Sequence, residues 1–61
     1  MDVDKEYLVV MVDMLQMESV EYFTARTKAI KYANEMKYAF ESICVKEIDY
    51  KNKTEEIIWE V

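Results

Sequence analysis

The run Tyr7-Leu8-Val9-Val10-Met11-Val12 is apolar at every position, and no other feature constrains the fold as much. The segment Glu6–Leu15 around it is rich in β-branched residues and too short for a good amphipathic helix, so it is predicted as a strand. Side chains alternate along a strand. Leu8, Val10, Val12 and Met14 share one face, and Tyr7, Val9, Met11 and Asp13 share the other. A strand that is apolar on both faces belongs in the middle of a sheet or under cover on both sides.

The rest of the chain supplies partners for that strand. Gln16–Ser19 is polar enough for a turn, and Val20–Phe23 reads as a short second strand. Thr24 is the expected helix N-cap. From Ala25 to about Glu41, the residues Ala25, Ala29, Tyr32, Ala33, Met36, Ala39 and Phe40 fall within an arc of about 120° at helical spacing, which predicts one amphipathic helix with an alanine-rich stripe. Lys37 and Glu41 stand at i, i+4 on it. Ile43–Tyr50 is the third strand and Glu55–Val61 the fourth. Lys51–Thr54 joins these two as a hairpin turn, with Asn52 the expected residue of positive φ. The fold class is α+β: one domain over residues 1–61, ordered β-β-α-β-β, with β-α-β-β as the fallback if Val20–Phe23 joins the helix. The sheet is mostly antiparallel, in spatial order 2-1-3-4, with the helix packed on one face.

Composition narrows the function. A chain of 61 residues is near the lower size limit for independent stability. With one cysteine, Cys44, it has no internal disulfide to help. Association is the remaining supplement, so a homodimer or a permanent protein partner is expected. The chain has no histidine, which removes the commonest general base and metal ligand. It has no glycine, which phosphate-cradling loops and the EF-hand turn require. No catalytic, metal or cofactor site is read. The acidic start Met1–Glu6 and the short apolar runs resemble neither a signal peptide nor a membrane span, so a cytoplasmic protein is expected. The lone cysteine suits that compartment.

Several groups invite a functional reading and have a plainer one. Asp2, Asp4 and Glu6 could line up as cation ligands, but they read better as an acidic tail. Glu47 and Asp49 share a strand face and could work as acid and base, but nothing predicts a cleft between them. Cys44 sits among apolar neighbours and reads as an inert thiol, despite Lys46 on its strand face. Arg26, Lys28, Lys31 and Lys37 divide between two edges of the helix, so they form no basic stripe. Tyr22, Tyr38 and Tyr50 could stack bases, but the nearby carboxylates repel a phosphate backbone.

One helix covers one face of a sheet, so an apolar row is left over. The expected interface is Tyr7, Val9, Met11 and Trp59. The expected function is a small non-enzymatic interaction or regulatory module, acting through that face and an acidic surface, with self-association as a homodimer the expected use of the face. With 13 acidic against 8 basic residues, the alternative is an acidic mimic of nucleic acid that inhibits a nucleic-acid-binding protein. Its candidate carboxylates are Asp13, Glu21, Glu47, Asp49, Glu55, Glu56 and Glu60. Direct nucleic-acid binding is a weaker alternative, disfavoured by the net charge of −5.

Overall fold

The computed structural model describes residues 4–61. Two hairpins flank one helix: β1 (Lys5–Val12), β2 (Glu18–Phe23), α1 (Arg26–Met36), β3 (Ser42–Asp49) and β4 (Thr54–Glu60). The sheet order is β2-β1-β3-β4, with every neighbouring pair antiparallel. The strand that is apolar on both faces therefore lies between two others, as its pattern requires. β2 and β3 run parallel on either side of β1, and α1 makes the crossover between them.

The core lies between α1 and one face of the sheet. Tyr7, Val9 and Met11 of β1 meet Ile43 and Val45 of β3, and Ala29 and Ala33 of α1 close over them. The two alanines are fully buried, and their small size lets the helix backbone approach the strands. Ile30, Tyr32, Met36, Phe40 and Phe23 pack around this centre. Phe23 and Tyr32 pack with their rings tilted at 45° and their centroids 5.3 Å apart.

The helix is shorter than its periodicity suggests. Its N-cap is Ala25, with no side-chain hydrogen bond, in place of Thr24. Phe23 ends β2 in register with Tyr7, so Thr24 and Ala25 are both spent on the turn from sheet to helix. At the other end, α1 stops at Met36. Glu41 already donates its N–H to the Val12 carbonyl at 2.9 Å, so the chain must leave the helical path to reach β3. Lys37 and Glu41 are consequently not helix neighbours. Without capping side chains or charges matched to its ends, α1 is held by its packing.

Both hairpin turns hinge on an aspartate. Asp13 Oδ1 accepts from the N–H groups of Leu15 and Met17 at 2.9 and 3.0 Å. The Gln16 N–H closes onto the Asp13 carbonyl, and Gln16 takes φ of 65°. A type I turn followed by a left-handed residue is a common three-residue hairpin connection. Asp49 Oδ1 likewise accepts from the N–H groups of Lys51 and Asn52, and its Oδ2 accepts from Asn52 Nδ2. These bonds hold the Asp49 carboxyl below its ordinary range, the Asn52 backbone bond foremost. The positive φ in this turn falls on Lys53, at 55°, and not on Asn52. Asn52 is instead engaged with Asp49.

Candidate interaction surface

The face of the sheet turned away from α1 has no cover among the described residues. The pairing register places its side chains in transverse rows. Tyr22, Leu8, Lys46 and Ile57 form one row, and Val20, Val10, Cys44 and Glu60 the next. Glu18, Val12 and Ser42 lie beyond the second, and Glu6, Ile48 and Glu55 beyond the first. Leu8, Val10, Val12, Val20 and Ile48 are half-buried. Tyr22 is 63% exposed and Ile57 51%. The centre is thus an apolar field, and the four glutamates stand around its perimeter.

The structure corrects the expected interface. Tyr7, Val9 and Met11 belong to the helix-covered core. The row left open is Leu8, Val10 and Val12. β3 decides between them: its Ile43 and Val45 lie on the same face as Tyr7, Val9 and Met11, while Ser42, Cys44 and Lys46 lie on the other. Covering the first face buries more apolar surface and leaves the polar parity in water.

Trp59 also goes to the core side. A β-bulge shifts the β3–β4 register between Val45 and Lys46, so that Val45 faces Trp59 and Lys46 faces Ile57. Ile58 is the extra residue, and both Ile58 and Trp59 pack against the core. Strict alternation would group Ile57 with Trp59 and set Ile58 opposite. The bulge breaks that grouping and leaves Ile57 on the open face.

Lys46 stands within the apolar field. It bonds Glu55 at 3.3 Å, so its charge is answered inside the sheet. Glu6 accepts from the Tyr50 hydroxyl, which brings the Tyr50 ring to this end of the face. Glu18 and Glu60 are exposed and form no ion pair among the described residues. The Cys44 thiol is pushed above its ordinary range by burial, Lys46 notwithstanding, which suits an inert side chain.

The seven acidic candidates do not gather on one surface. Asp13 and Asp49 are bound into the two turns. Glu47 lies on the core side with its side chain only 14% exposed, 3.2 Å from Lys5 Nζ and accepting from the Tyr7 hydroxyl. That contact raises Lys5 from its ordinary value, and burial raises Tyr7. Glu21 and Glu56 edge the helix-covered face, while Glu55 and Glu60 belong to the open one. Glu47 and Asp49 share a face but answer to different partners, so no acid–base pair is assembled. Asp2 of the N-terminal acidic trio lies outside the described residues. No group of three metal-ligating side chains occurs among those described.

A second apolar feature lies at the tip of the β1–β2 hairpin. Leu15 is 82% exposed between Met14 and Met17, and Tyr38, after the helix, is 90% exposed. Met14, Tyr38, Ala39, Phe40 and Glu41 line a shallow depression of about 390 Å³ there. No helix among the described residues is long and apolar enough to cross a membrane. Comparison with known family models, curated proteins and solved structures finds no match for this chain.

Proposed function

We propose that this protein is a small non-enzymatic interaction module that buries its open sheet face against a protein partner. The observation that carries this reading is the apolar field Leu8, Val10, Val12, Val20, Tyr22 and Ile57 on a sheet with one helix, a surface of the kind that marks interfaces. Asp13 and Asp49 are bound into turns and Glu47 is held by Lys5 and Tyr7, which supports a binding role over a catalytic one. A cytoplasmic setting suits the unpaired Cys44.

Val10→Lys places a charge at the centre of the field without touching the helix side. Lys31→Glu alters only an exposed helix position. Tagged wild type, Val10→Lys and Lys31→Glu would be used to capture partners from the source cells. A protein retained by wild type and Lys31→Glu but lost with Val10→Lys supports the reading. Capture that is indifferent to Val10→Lys overturns it.

A further inference from the structure

From the charge around the open face, and resting on the reading above, we infer that its occupant is a basic amphipathic helix of another chain and not a second copy of this one. The strand residues that point to this face include four glutamates, Glu6, Glu18, Glu55 and Glu60, against one lysine, Lys46. All four stand at the perimeter, and apolar side chains fill the middle around the paired Lys46. Two copies stacked face to face would set one acidic perimeter against another, and like charges brought together across an interface oppose association. Lys46 cannot offset this freely, because Glu55 of its own chain holds it at 3.3 Å.

A helix with an apolar stripe and lysines or arginines on its flanks matches both properties of the face. The stripe would lie along Leu8, Val10 and Val12, and the flanking cations would reach Glu18 at one corner and Glu60 at the opposite side. The sheet already accepts one helix on its other face. A second would complete a three-layer arrangement in which both apolar faces are covered. The free carboxylates would then make charge-assisted contacts at the rim, where they steer association and set partner choice.

The probe is a leucine–lysine peptide of about 18 residues patterned as an amphipathic helix. It is compared with a leucine–glutamate counterpart and with a shuffled leucine–lysine peptide of equal charge. Titration is followed by amide and methyl NMR, with affinity taken from calorimetry. The expected result is one-to-one binding of the patterned leucine–lysine peptide, with shifts centred on Leu8, Val10, Val20 and Ile57. Affinity should fall about tenfold in Glu18→Lys/Glu60→Lys, whose two positions are exposed. It should fall further as salt rises from about 50 to about 500 mM. The other two peptides should bind at least about tenfold more weakly. Equal affinity in the double variant, or shifts centred on α1 or the hairpin tip, overturns the inference. So does self-stacking of the wild type through this face, detected by light scattering and abolished by Val10→Lys. That last result would leave the face an interface, and the capture comparison would still judge that reading separately.

Discussion

Val9 and Val10 are adjacent in β1 and chemically identical, yet the structure assigns them opposite fates. Val9 is 0% exposed beneath Ala29 and Ala33, while Val10 is half-buried on the uncovered side. Replacing either by alanine removes two methyl groups. At Val9 both come from a closed core, a transfer loss of about 1.6 kcal/mol. The cavity left behind adds about 1 kcal/mol, for a total near 2.5 kcal/mol. At Val10, which keeps a minor part of its surface in water, about two-thirds to nine-tenths of the transfer loss applies and water fills the space, so about 1.0–1.4 kcal/mol is expected. A domain of this length has a total stability of about 3–9 kcal/mol, so Val9→Ala removes a large share of it and Val10→Ala a smaller one. Urea unfolding, followed by circular dichroism and by the emission of Trp59 where it packs on the core, reads both. With a slope of about 1 kcal/mol per molar, the midpoint should fall about 2.5 M for Val9→Ala and about 1.0–1.4 M for Val10→Ala. Equal losses would refute the reasoning, because they would mean that both sides of β1 are sealed in the isolated chain.

Two other consequences are open to direct measurement. Gln16 and Lys53 hold positive φ without being glycine, so Gln16→Gly and Lys53→Gly should each stabilise by about 0.5–1 kcal/mol, net of the entropy a glycine loses; destabilisation by either would show that its side chain contributes more than its backbone costs. The lowered Asp49 carboxyl binds its proton less readily folded than unfolded, so its contribution is present above the ordinary aspartate range and is lost as pH falls through the folded value. Asp49→Asn should therefore flatten the fall in stability below about pH 4, and a pH profile superimposable on wild type would remove this role for Asp49.

Much of the fold is legible along the chain because local pattern and global arrangement agree. Ala29 and Ala33 mark the buried stripe of α1, and the spacing from Ile43 to Val61 marks a hairpin. The doubly apolar β1 asks for the central place it occupies in the order β2-β1-β3-β4. What alternation cannot reveal is which side of β1 the helix takes, since Tyr7, Val9 and Met11 are as apolar as Leu8, Val10 and Val12. The deciding signal lies in β3, where Ser42 and Lys46 mark the wet parity. The bulge at Ile58 is invisible to alternation and takes Trp59 from the open face, where it would join Ile57, to the core. The helix stops at Met36 although Phe40 continues its spacing, because Glu41 is drawn to the Val12 carbonyl. That is a tertiary demand that no local pattern expresses. The uncovered field itself was foreseeable from one helix and one doubly apolar strand, while its residues were not.

Solvent exposure of the methyl groups in the isolated protein tests the uncovered face most directly. A soluble paramagnetic agent added at low protein concentration should strongly broaden the NMR signals of Leu8, Val10 and Val20, and leave Val9, Ile43 and Val45 sharp. Equal protection of both sets would show the open face already occupied, by the chain itself or by a second copy, and would contradict the account.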